Sequence, residues 1–370
     1  SGEGDMSRTS HEPRATSHAL RAIGRKPNHA QGSWLEARSS WLITTVLCSA
    51  VLHAQVSPFN GLEVRPADST GHYRILIGGH FHGESTNRSG FPAATLLANL
   101  DTINSLGAHL FLSTGDLYMD PVKDASRYQR SLFSKLRMPF FNAPGNHDLS
   151  SNGPGKVILA NGRQDGWAFI TFNTEEREGS LDAEQLTLLE DLAMDVKSLF
   201  IISHRPIWAE DDPQYSTLFK DNTRSLTGTN FRKDVYPLLE RIAQHAHVYW
   251  ISGSLGGSAP SSLFFQQHAP NITYIQCAIR DEPRDALLIA DVFPDTVKWS
   301  SLSLTGQKLL APEAYDAAWW RERVGKKAPF NWRLLPYLVK TTVLRREFWW
   351  GMLAAALLLW TGRRLYRRWG

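Results

Sequence analysis

Three short polar blocks constrain this 370-residue chain more than anything else in it. They are Gly115-Asp116-Leu117-Tyr118-Met119-Asp120, Gly145-Asn146-His147-Asp148 and Ser203-His204-Arg205-Pro206. Each follows an apolar run short enough to be a buried strand. Loops at strand ends are where open α/β sheets assemble their sites. An Asp, an Asn and a His delivered from three strands give hard oxygen and borderline nitrogen donors. Such a set suits Zn, Mn or Fe, with water completing the shell, and supports metal-assisted hydrolysis.

Around the blocks the periodicity alternates. Residues 73–77, 109–113, 139–143, 167–172, 199–202 and 248–251 read as strands, and two or three more fall between 272 and 304. Apolar residues recur at helical spacing over 91–106, 125–136 and 231–246. Asp182-Ala183-Glu184-Gln185 opens a further helix through Leu192, with a carboxylate at the N-cap and Gln three residues on. Residues 211–230 are polar and read as a surface excursion. The order predicts an α/β sandwich, with sheets in the centre and helices outside.

Composition narrows the class. The net charge is only +4, from 40 basic and 36 acidic residues, and the excess lies at the two ends. The middle is near neutral and carries no nucleic-acid footprint. Two cysteines, Cys48 and Cys277, exclude a disulfide framework and a multi-thiolate metal site. Cys277 reads as a small buried hydrophobe.

The ends read differently. Residues 1–40 are polar and basic and are expected to be disordered. Residues 41–54 are apolar and read as a signal peptide, or else as a hydrophobic N-terminal segment of the domain. Residues 60–310 form the main domain and 311–347 a linker or amphipathic segment. Residues 348–362 are apolar, flanked by aromatics and followed by a basic tail over 363–370, which predicts a C-terminal membrane anchor. A helix over that run spans only about 22 Å at about 1.5 Å per residue, against about 30 Å of hydrocarbon. Snorkelling arginines or local thinning would have to close the gap. Together the ends predict an exported domain, periplasmic or extracytoplasmic, tethered to a membrane.

Taken in order, the blocks resemble those of the calcineurin-like metallophosphoesterase superfamily over about residues 73 to 305. That family runs D-x-H, GDxxD, GNH[D/E], a lone His after a strand, then GHxH. Gly145–Asp148 matches unchanged, Gly115-Asp116 keeps the core of its block with Asp120 one residue late, and His204 stands in the strand-His-x-Pro setting. The first block is altered to Gly79-His80-Phe81-His82-Gly83, with His80 where the family has an acid. The last reads Gly253-Ser254-Leu255-Gly256-Gly257, and both histidines are gone.

The resemblance implies a metallophosphoesterase sandwich, two central mixed β-sheets flanked by helices. It also implies one or two divalent ions and a phosphomonoester or phosphodiester substrate. By its logic Asp116 bridges two metals, with His80 and His82 on one and Asn146 and His204 on the other. The lost imidazoles leave a single or weakly paired site. His147 would protonate the leaving oxygen, with Asp148 orienting its ring. Arg280 and Arg284 are candidates to clamp a phosphate. The alternative is a catalytically weak or inactive relative serving as a scaffold in an envelope or surface-polymer process.

Overall fold

The computed structural model describes residues 55–149, 160–164, 166–209, 212–219, 228–324, 332 and 335–369. The basic extension and the apolar segment 41–54 lie outside them. The first half runs β1 (Tyr73–Gly78), α1 (Ala94–Ala98), α2 (Leu100–Ser105), β2 (Leu110–Ser113), α3 (Pro121–Ser131), β3 (Phe140–Asn142) and β4 (Asn161–Gln164). Next come β5 (Trp167–Thr171), α4 (Ala183–Ala193), β6 (Ser198–Ser203), α5 (Ser216–Phe219), α6 (Tyr236–Ile242) and β7 (His247–Ser252). The last part holds β8 (Leu263–Ala269), β9 (Ile272–Cys277), β10 (Ala286–Val292), β11 (Val297–Ser303), α7 (Ala317–Arg321), α8 (Leu335–Val343) and α9 (Arg346–Trp369).

The strands form two mixed sheets, ordered β11-β10-β1-β2-β3 and β4-β5-β6-β7-β9-β8. Strands β1, β2 and β3 are parallel, as are β5, β6, β7 and β9. Strand alternation explains the layers. Ile75, Ile77, Leu112 and Phe141 meet Phe169, Phe200, Ile202 and Ile275 between the sheets. The intervening Leu76, Phe111 and Phe140 turn outward onto Leu96, Ile103 and Leu132 of the first helical layer and its flank. Ile170, Ile201 and Trp250 turn outward onto Leu189, Leu239 and Trp320 on the other side. The expected sandwich of two central sheets flanked by helices is therefore present. Cys277 lies wholly buried in the layer between the sheets, where burial pushes its thiol up to about 12.

Several elements differ from expectation for identifiable reasons. The helix expected over 91–106 breaks at Asn99, whose amide donates to Thr95 O and to Leu304 O. The next helix starts earlier than the pattern, at Pro121, because Asp120 caps it by accepting from the Lys123 N–H. Phe231–Val235 is a π turn that leads into α6, where Pro237 sits in the first turn. Asp182 caps α4 as expected, but Gln185 turns away and accepts from the Asn173 N–H. Strands β4 and β8 escaped notice because both are sheet edges with polar stretches.

The packed domain runs on beyond residue 310. Tyr315 and Trp320 are buried, Tyr315 O accepts from Phe265 N–H, and the Trp320 indole donates to Leu263 O. The segment read as a linker thus begins inside the domain. At the C-terminal end, no described helix is long and apolar enough to cross a membrane. The expectation of a spanning anchor over 348–362 is corrected accordingly. Helix α9 has 24 residues, but Arg346 and Glu347 open it and Arg363, Arg364, Arg367 and Arg368 occupy its last turns.

Candidate metal centre

The parallel strands decide where the polar blocks go. Residues 79–83 follow β1, Gly115-Asp116 follow β2, the Gly145–Asp148 loop follows β3 and His204 follows β6. All leave their strands at C-terminal ends, so one rim of the sandwich collects them. Two of these residues hold the left-handed conformation, His80 at φ 61° and Asp116 at φ 57°. Backbone strain of this kind, about 1–3 kcal/mol each, gathers at functional sites. Backbone bonds from His80 N–H to Gly115 O and from Gly83 N–H to His80 O hold the turn in place.

One oxygen is the focus. Asp116 Oδ2 lies 3.6 Å from His80 Nε2, 3.7 Å from His82 Nε2 and 3.3 Å from His204 Nε2. All four side chains are buried. The His80, His82 and Asp116 donor atoms lie within 4.8 Å of one another, the spacing of a shared cation. His204 reaches the same carboxylate and stands outside that group.

Hydrogen bonding fixes the rings. His80 Nδ1 is bonded to Gly83 O at 3.1 Å and His204 Nδ1 to Thr114 O at 3.0 Å. In the neutral rings Nδ1 is then the protonated nitrogen, and the Nε2 lone pairs face Asp116, as second-shell partners set metal-binding histidines. His82 is 1% exposed, and among the described residues neither of its ring nitrogens has a hydrogen-bond partner. A buried imidazole without a partner beside a carboxylate is the donor set a cation fits.

The electrostatics agree. Burial and His82 hold His80 well below its usual range, so it stays neutral and available as a donor. Burial alone would raise Asp116, but His204, His82 and His80 together hold it well below the usual carboxylate range. Burial pulls His204 down, and Asp116 and Glu175 outweigh it and push it up. The same carboxylates would attract a metal ion, which would have to displace that proton from His204.

The third block contributes in a way its sequence did not announce. The His147 N–H donates to Asp116 Oδ1 at 3.0 Å, and the His147 ring lies 4.9 Å from that of His82. His147 is half-buried, and burial lowers its pKa. Asn146 stands half-buried on the same loop, between Gly145 and His147.

Among the described residues no hydrogen bond joins Asp148 to the His147 ring. Its carboxylate accepts from the N–H groups of Asp116, Leu117, Tyr118 and Gly145 and from the Asn142 amide. It therefore ties the second block to the third. Burial and the Asp116 carboxylate push it up to about 6, against the pull of those donors. Gly145 makes the approach feasible, since a Cβ there would sit 2.2 Å from Asp116 Oδ1.

The two arginines part company. Arg284 is buried and committed to Glu282 at 2.7 Å, Ser261 O at 2.8 Å and Gly256 O at 3.0 Å. It straps down the loop after β7 and has no fork left for a phosphate, which corrects its expected role. Arg280 reaches the centre, with Nη1 3.5 Å from His80 Nε2. Asp120, the acid that arrives one residue late, is spent on capping α3 and pairing with Lys123.

Sequence reading missed Thr114. Its carbonyl orients His204, its hydroxyl donates to Cys277 O, and a Cβ on Gly253 would lie 2.1 Å from that hydroxyl. Its position next to Gly115 was the one available signal.

Comparison with known proteins adds the following. A model of the calcineurin-like phosphoesterase family matches residues 73–278. Comparison with curated proteins returns no match. Among solved structures, the chain is similar to GAP50, "the anchor in the inner membrane complex of Plasmodium". Identity is 10%, coverage 70% of this chain and 98% of that one, and TM-score 0.45. It is also similar to a dimetal phosphatase from Danio rerio, with 11% identity, coverage of 65% and 98%, and TM-score 0.42. The family match takes in more than half of the chain, running from the first residue of β1 to the residue after β9, and on it the chain belongs to the calcineurin-like phosphoesterase family.

Proposed function

We propose that the chain is a metal-dependent phosphoester hydrolase whose centre holds one ion between His80, His82 and Asp116. The observation that carries this is His82, buried, without a hydrogen-bond partner and aimed at Asp116 Oδ2. A divalent Mn, Fe or Zn held there would supply Lewis-acid stabilisation of charge developing on a phosphoryl oxygen. The protein's own groups do the rest. His80 and His204 keep fixed tautomers through Gly83 O and Thr114 O. His204 adjoins Asp116 at 3.3 Å and Asn146 lies on the loop after β3; these are the residues that would hold a second ion, and this chain has lost an imidazole from that set. His147 stands beside the centre as the proton donor to the leaving oxygen.

The test is turnover. Metal-dependent hydrolysis of phosphoesters is expected, and His147→Ala should cost about 10²–10⁴-fold on alkyl esters, whose departing oxygen needs a proton. Activated aryl esters should lose far less, and metal content should not change. Equal losses on both classes would remove His147 as the acid. Wild-type protein with no metal-dependent turnover would favour the scaffold reading, which the absence of imidazoles at Ser254 and Gly256 supports.

For location we propose attachment to a membrane surface, after export directed by residues 41–54. Helix α9 supports attachment: Trp349, Trp350, Leu353, Leu358 and Trp360 are exposed, and four arginines follow. Flotation with anionic vesicles should carry the full chain upward, and a chain ending at residue 345 should stay behind. Equal flotation of both would refute the attachment.

A further inference from the structure

The loop after β9 sets a buried guanidinium beside the metal centre. The Arg280 side chain is 12% exposed. Its Nη1 lies 3.5 Å from His80 Nε2 and 3.5 Å from Leu255 O. Leu255 is flanked by Ser254 and Gly256, the positions where the family's last block carries its imidazoles. The guanidinium thus packs between His80 and the loop that has lost them.

Arg280 is held there firmly. Its backbone N–H donates to Asp285 Oδ1 at 3.0 Å. Asp281, in the left-handed region at φ 59°, accepts from the Thr95 N–H at 2.9 Å. The Thr95 hydroxyl lies 3.1 Å from Asp281 Oδ1 and 2.7 Å from Asp285 Oδ2. The hydroxyl carries one proton, so it serves the two carboxylates in turn or shares that proton between them.

Arg280 shares its carboxylate partner. Its Nε is a buried donor with no hydrogen-bond partner among the described residues. The nearest carboxylate oxygen, on Glu282, is 3.6 Å away, and Glu282 makes its 2.7 Å bond to Arg284. Arg280 Nη1 and Asp116 Oδ2 both approach His80 Nε2, so a guanidinium and a divalent ion held there would repel each other, and an anion touching both would relieve the repulsion. The planar fork suits two oxygens of one phosphoryl group. A phosphomonoester offers three non-bridging oxygens, enough for the fork and the ion together. A phosphodiester offers two and carries less charge.

We propose that Arg280 is the phosphate-binding residue of this centre and that it selects phosphomonoesters over phosphodiesters. The proposal rests on the single-ion hydrolase reading above.

The experiment uses the full chain and two probes, Mn²⁺ alone and then inorganic phosphate at saturating Mn²⁺, followed by calorimetry. Arg280→Met should bind Mn²⁺ at least as tightly as the wild type, since a repelling charge is removed, and that binding also shows the variant to be folded. It should weaken phosphate binding about 10–100-fold, the scale of one lost charge-assisted pair. Arg280→Lys, which keeps the charge and loses the fork, should fall between. With 4-nitrophenyl phosphate, Arg280→Met should raise KM more than it does with bis(4-nitrophenyl) phosphate. Unchanged phosphate affinity overturns the proposal and leaves the hydrolase reading standing. A gain in Mn²⁺ affinity with no loss of phosphate binding also overturns it, because the guanidinium would then be a plug. A wild type that takes up no Mn²⁺ removes the hydrolase reading and this proposal with it.

Discussion

Asp116→Asn is expected to strip the centre of its ion. Asparagine keeps the size of the side chain, an oxygen for the His147 N–H, and tolerance of the left-handed backbone at φ 57°. What it loses is the charge on the one oxygen that faces three imidazoles at 3.3–3.7 Å. Changes to outer-shell partners cost about 10–100-fold in metal affinity, and removing the only carboxylate in the donor set should cost more. Elemental analysis after dialysis should find nearer one ion than two in the wild type and essentially none in the variant, with metal-dependent turnover falling to background. Two tightly held ions in the wild type would contradict the single-ion centre. Full metal content in the variant would show that Asp116 is not a ligand.

Asp148→Ala should act on the fold rather than on the chemistry. Its carboxylate is the common acceptor for four backbone N–H groups and the Asn142 amide. Truncation leaves these donors facing a small apolar void. Removing one partner from a buried charged network typically costs about 3–5 kcal/mol, a large share of a domain's stability. Urea unfolding should show a lower midpoint with the same slope. Asp148→Asn should restore only part of the loss, since its NH₂ would meet N–H donors. Wild-type stability in Asp148→Ala, with turnover alone reduced, would return Asp148 to the role of orienting His147.

The sequence was clearest wherever burial dictates residue type. The central strands are short apolar runs with no other reading, and the blocks at their ends fall on one rim because parallel strands share a direction. The edge strands β4 and β8 were illegible, because an edge needs no continuous apolar face. Within the site, residue type showed what each group is able to do and not which partner it takes. Arg280 and Arg284 look alike in the chain, yet Ser261 O and Gly256 O claim one and leave the other beside His80. Asp148 looks like a partner for the adjacent His147, but backbone N–H groups from the second block reach it instead. Asp120 looks like a displaced ligand, and the start of α3 takes it. These choices depend on loop geometry, which a linear pattern does not carry.

The side chains gathered around Asp116 Oδ2 come from both sheets. His80, His82 and Asp116 follow strands of one, His204 follows a strand of the other, and the bond from His204 to Thr114 O crosses between them. No fragment that ends before β6 contains His204, so Asp116 meets its full set of imidazoles only once the two layers have joined. The 3.3 Å approach of His204 Nε2 to Asp116 Oδ2 is then a clasp across the seam, and whatever it contributes is lost when the layers part.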